Sequence, residues 1–589
     1  MMRAITSFVF GLLLSAVLLL PTNARAAELE PFLTVKASSI NTFIGIAEMF
    51  AGMADAADDY FFQEAINGIR NIRGVNFDGD FGIAAVVTEN DTLNFLFVLP
   101  VTDIWRLDFP EAPGMIEGLR PFLTRRSAER TDINTPFGNF VALQRQGFLV
   151  VVPEEIIDRV PANPRTLFAD LEQYTFGMKF DLEKVEFETL EANFFTPILL
   201  MALMQAPEMA DQLEEAIEMY RLLFDEFAMV SYGIAVDRQT ADIELSYSFA
   251  AREGSDMARV LAGYERRPTI FGGFRGTPEN NVFSFGDSAR APAMPNNALM
   301  GNAKAQWEIM LDGIIEQIEM DDDTGEAGKI AREAIDAIFK IIEDETQRGE
   351  NDMALSFNID GTLLAAFDTV SLAEIQTLAI LAWDFARSRA PAEAEELLEV
   401  RLGYTTIEGF TVSSFKIPLI PLAETFMGPG PGARHVPQGP RELAINGFWA
   451  TKPGGKQAIA FAAGVDAAKT EAAFRSALQQ TATPVPVQEP AAVFSMQGWG
   501  KFLQQTVQPI LEQGTAESPG HFPQSGLEDF KKQAEVLASA DADATVTMSF
   551  NTSADRVDVA FRMSGKIIQT IIDASKATMP PPRPGIRSF

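Results

Sequence analysis

Few residues in this chain could carry out chemistry. There are two histidines, His435 and His521, and no cysteine. Each histidine sits in a Gly/Pro-rich stretch with no partner at motif spacing, which suits a surface side chain better than a base or a ligand. Without cysteine there can be no disulfides, no thiol catalysis and no cysteine metal sites. Acidic residues are plentiful, 81 against 47 Lys and Arg. Paired carboxylates could serve a glycosidase or another acid hydrolase, but the sequence singles out no pair. Asp321-Asp-Asp-Thr-Gly-Glu326 resembles a calcium loop. With Asp321 as the first ligand, however, the glycine falls one place early and the twelfth position is Arg332, not Glu. Gly454-Gly455-Lys456 is followed by Gln457, where a phosphate-binding loop needs Ser or Thr, and neither H-E-x-x-H nor G-x-S-x-G occurs. No catalytic residue, metal ligand or cofactor is nominated. A carboxylate-based hydrolase stands as the alternative to a non-catalytic protein.

The remaining chemistry is apolar. The chain has 46 Phe and 22 Met, and methionine adapts its shape to irregular ligands. Phe194, Phe195, Ile198, Leu199, Leu200, Met201 and Leu203 crowd one short predicted helix on more than one face, so one sheet cannot bury them all. The surplus must meet another helix, another part of the protein or an apolar ligand. The expected ligand site lies between this helix and the strand carrying Phe176, Met178 and Phe180. Its candidate residues are Phe176, Met178, Phe180, Phe194, Phe195, Ile198, Met201 and Leu203. Core packing is the competing reading for all of them.

The elements that must position these residues show a two-residue apolar period. Tyr232, Ile234 and Val236, the polar link 237–242, then Ile243, Leu245, Tyr247 and Phe249 predict a β-hairpin with one buried face. Similar hairpins are expected around 83–99, 353–367 and 546–563. Each has a short strand and two helices ahead of it and a helix behind it. The fold class that follows is α+β: internally duplicated β-α-α-β-β-α units, with antiparallel sheets covered by long amphipathic helices. The expected domains are 27–265 and 266–576, each of two units, with a disordered Pro-rich tail at 577–589.

Residues 1–26 read as a secretory signal peptide. Arg3 precedes the apolar core Phe8–Leu20, and Ala24-Arg25-Ala26 fits the cleavage rule. Removing them takes away two basic residues and no acidic one, so the net charge moves from −34 to −36. Such a charge repels nucleic-acid phosphates and anionic membranes. No transmembrane span is expected once the signal is gone. The leader, together with Phe81-Gly-Ile-Ala-Ala-Val-Val87 and Asn94-Phe-Leu-Phe-Val-Leu-Pro-Val-Thr-Asp103, resembles large exported proteins of planctomycete-type bacteria. The resemblance implies export and a repeated α+β layout, and it carries no catalytic residues. The expectation is an exported, periplasmic or extracellular protein of non-catalytic function. It would bind a ligand, an apolar one included, or an envelope protein partner, or serve as a structural component.

Overall fold

Rows of short strands, most of them pairing with a neighbour on either side, set the architecture. The computed structural model describes residues 30–578 except 58, 89–90, 108–119, 136–137, 197–209, 293–325, 390–398, 419–443, 455–456, 488 and 518–523. The chain forms two compact units. One runs to Ala258 and adds Asp555–Arg562; the other holds Arg259–Ala554 and continues from Met563.

The first unit contains β1 (Leu33–Ala37), β2 (Phe81–Val87), β3 (Leu93–Leu99), β4 (Leu123–Arg125), β5 (Arg130–Thr135), β6 (Gly138–Arg145), β7 (Phe148–Pro153), β8 (Phe176–Asp181), β9 (Phe227–Val236) and β10 (Ile243–Ala251). Their order in space is β4-β5-β6-β7-β3-β2-β1-β8-β9-β10, antiparallel at every step. Two cores lie on opposite faces, as the alternation of side chains requires. Ala84, Val86, Leu96, Val98, Val150 and Val152 pack under Ile156 and Phe168 on one face. Ala85, Leu93 and Phe180 meet Phe187, Leu190 and Phe224 on the other. After β1 come helices α1 (Ile40–Met53) and α2 (Tyr60–Arg70). Ser39 and Asp59 cap them by accepting from the backbone N–H groups of Thr42 and Phe62.

The second unit contains β11 (Glu265–Arg266), β12 (Asn281–Arg290), β13 (Glu350–Asn358), β14 (Leu363–Asp368), β15 (Glu399–Ile407), β16 (Phe410–Pro418), β17 (Ala444–Lys452), β18 (Ala458–Gly464), β19 (Ala492–Ser495) and β20 (Thr545–Thr552). Its order is β15-β16-β17-β18-β14-β13-β12-β19-β20, again antiparallel, with β11 on the end of β12. Its core is ring-rich. Phe474, from helix α3 (Ala467–Gln479), meets Phe274 and Phe448 at 6.2 and 6.1 Å. The last strand, β21 (Arg556–Met563), lies beside β10. There Ala251 N–H donates to Asp555 O, and Ser248 Oγ donates to Asp558 Oδ1 at 2.6 Å.

This overturns the expected fold class. Among the described residues the strands of each unit join in one long antiparallel row, not in separate sheets of β-α-α-β-β-α units under long helices. The expected hairpin at 232–249 does form, with Tyr232 opposite Tyr247. The error lies in what borders the hairpins. A two-residue period fixes which side chains share a face, but it does not name the strand that joins a free edge. Those partners come from far along the chain: β1 takes β8, and β12 takes β19. The expected cover by helices is incomplete as well. Tyr60 and Phe61 at the start of α2 are 68% and 60% exposed.

Candidate functional site

Buried charge is the first place to look for chemistry, and here it serves the backbone. Lys36 of β1 is 2% exposed and stands between Gly82 of β2 and Gly177 of β8. Its Nζ donates to Tyr174 O at 2.7 Å, Ser38 Oγ at 3.3 Å and Glu172 O at 3.4 Å, with Asp80 Oδ2 at 3.9 Å. Burial pulls its pKa below the usual lysine value, against the pull of Asp80 and Glu172. In the second unit Arg275 lies over Gly286 and donates to Pro490 O at 2.9 Å. Two buried carboxylates, Asp352 and Asp368, occupy neighbouring strands. Asp368 Oδ1 accepts from Arg348 Nη2 and from Asp352 N–H, both at 2.8 Å. Asp352 accepts from Thr269 Oγ1 at 2.5 Å and from Ile270 N–H at 3.0 Å. Both are almost fully shielded from solvent, so this pair holds strands in place and is not presented to a substrate.

A polar cleft of about 330 Å³ lies in the first unit, on the face of β1 and β8 that carries Thr34, Lys179 and Asp181. The segment Pro164–Leu171 forms its wall, together with Arg159 and Lys184. Its lysines are already engaged. Lys179 bonds Asp170, and Lys184 pairs with Glu30 at 3.1 Å and with Asp181 at 3.8 Å.

The opposite face of the same strands is apolar and incompletely covered. The register places Phe176, Met178 and Phe180 of β8 beside Ile234, Tyr232 and Val230 of β9, and these beside Leu245, Tyr247 and Phe249 of β10. Every one of these side chains remains partly exposed. Buried positions on the same strands, such as Gly177, Gly233 and Ser248, belong to the other face. Rings continue across the strands: Phe176 meets Tyr232 at 6.3 Å, Tyr232 meets Tyr247 at 5.1 Å, and Tyr247 meets Phe561 of β21 at 6.4 Å.

The structure divides the predicted site residues. Phe176 and Met178 lie in the open row. Phe180 stands at its margin, edge-on to Phe32 at 5.6 Å, and joins the apolar cluster that also takes Phe195. Phe195 stacks on Phe187 at 5.9 Å and on Tyr220 at 5.3 Å. Phe194 falls in the same π-helical turn, Glu191–Phe195. Ile198, Met201 and Leu203 lie outside the described residues, as do His435, His521 and positions 321–325. Sequence reading missed Tyr232, Tyr247 and Phe561 as site residues. They alternate like any strand residues, and only the β8–β9 pairing brings them to Phe176 and Met178.

Among the described residues no group of three or more His, Asp or Glu could hold a metal ion. No helix there is long and apolar enough to cross a membrane. No family model, curated protein or solved structure matches the chain.

Proposed function

We propose that this is an exported, non-catalytic binding protein that takes an apolar ligand on the open face of β8, β9 and β10. One observation carries the reading: a contiguous apolar sheet face on which no side chain is fully buried. A sheet with one polar face ordinarily closes its apolar face against a core. An apolar face left partly in water is the usual mark of a binding surface. The buried charges support the non-catalytic half of the reading, since each is engaged by backbone or structural partners. Export rests on the leader-like residues 1–26, with a mature amino terminus at Ala27, readable by N-terminal sequencing of material from the native host.

The binding test uses a fluorescent long-chain fatty acid. The wild-type chain should bind it saturably. Met178→Asp, which places a charge in the open row, should weaken binding by at least ten-fold. Lys179→Ala, on the opposite face of the same strand, should leave it within two-fold. A wild-type protein with no saturable uptake, or equal binding by Met178→Asp with an intact fold, would overturn the reading.

A further inference from the structure

The open row contains polar atoms that an apolar ligand alone would not serve. Tyr232 and Tyr247 face each other across β9 and β10, their ring centroids 5.1 Å apart. Among the described residues neither hydroxyl has a hydrogen-bond partner. The chain has 46 Phe and only 7 Tyr, so the placement of two tyrosines side by side in this row stands out. Phenylalanine would supply the same ring area, and it does so at Phe176 and Phe561 on either side of the pair.

A partly exposed phenol can be hydrated. A ligand that covers the row expels that water. A hydroxyl stripped of water and left unpaired weakens binding by about ten-fold or more. Displacing such water helps binding only when the ligand reproduces its hydrogen bonds. The occupant must therefore be apolar along most of its length and carry a hydrogen-bonding group that meets the two hydroxyls.

We infer that the ligand is an amphiphile, a long apolar body bearing a hydroxyl, carbonyl or carboxyl oxygen, with that oxygen hydrogen-bonded to Tyr232 and Tyr247. This rests on the reading of the open face given above.

The test compares two probes of equal length on the full chain, a pyrene-labelled fatty alcohol and the corresponding pyrene-labelled alkane. Wild-type protein should prefer the alcohol. Replacing both tyrosines (Tyr232→Phe with Tyr247→Phe) should reduce alcohol affinity by about ten-fold, the scale of one or two hydrogen bonds. Alkane affinity should not fall, because the rings remain, and should rise as the two hydroxyls that an alkane leaves unpaired are removed. If the double variant does not fold, each single variant carries the same comparison. Unchanged preference in a folded variant overturns the amphiphile and leaves the apolar face standing. Failure of wild-type protein to bind either probe overturns the apolar face, and the amphiphile with it.

Discussion

Lys36 is a long cationic side chain held almost entirely out of water between two glycines. Its ammonium is served by two carbonyls and a hydroxyl, with Asp80 slightly beyond them. Burial still dominates and lowers its pKa from the ordinary 10.5. The linkage then has a definite sign. Below the folded pKa the group is charged in both states, and the burial penalty is fully present. Between the folded value and 10.5 the unfolded chain binds more protons than the folded one. Stability contributed by this group therefore rises with pH through that window. Denaturant titrations of wild-type protein and Lys36→Met, repeated from pH 8 to pH 10, should show a more positive slope of stability with pH for wild type. Identical slopes would mean that Lys36 keeps an ordinary pKa and that its carbonyl partners fully offset its burial.

At the scale of elements, glycine decides how closely the segment after Pro164–Leu171 can approach the sheet. Gly233 of β9 has no room for a side chain, because an added Cβ would sit 2.2 Å from the Tyr174 ring. A rigid ring packed on backbone cannot swing aside as a lysine tail would. Gly233→Ala should therefore destabilise by about 1–3 kcal/mol, the usual cost of overpacking. Gly52, inside α1, has nothing within 4 Å of such a Cβ. Gly52→Ala should stabilise by about 0.5–1 kcal/mol, because alanine loses less backbone freedom on folding. Chemical denaturation reads both changes, and equal signs would contradict this account of the packing. The hairpins were legible in the sequence because alternation is local: Tyr232 to Val236 and Ile243 to Phe249 announce both strands and their turn. Phe176, Met178 and Phe180 were legible as one face of a strand for the same reason. That Met178 lies beside Tyr232 was not, since β8 and β9 are separated by a long intervening segment and period two is silent on which strands meet. The same gap hid the continuous row of strands in each unit. Nothing in the sequence near Leu33 or Phe285 says that their strands take β8 and β19 as second neighbours.

The whole molecule carries a formal net charge of −34. Charge of one sign over the surface favours solubility and opposes compaction, because folding brings like charges closer together. Surface ion pairs act in the opposite direction. Pairs such as Arg70–Glu48 at 2.8 Å and Lys566–Asp541 at 2.8 Å sit in water on both sides. Each such pair contributes little, and salt weakens it. The two effects respond oppositely to ionic strength, so a salt titration decides which is larger. Raising ionic strength from about 10 mM to about 150 mM shortens the screening length from about 30 Å to about 8 Å. Long-range repulsion among a large excess of acidic groups is lost over that range, whereas contact pairs at hydrogen-bond distance are screened less. The midpoint of thermal unfolding should therefore rise by a few degrees as sodium chloride is added. The increase should be larger at pH 8 than at pH 5, where part of the acidic excess is neutralised. A midpoint that falls with salt at pH 8 would show that local pairing, not net repulsion, governs this surface.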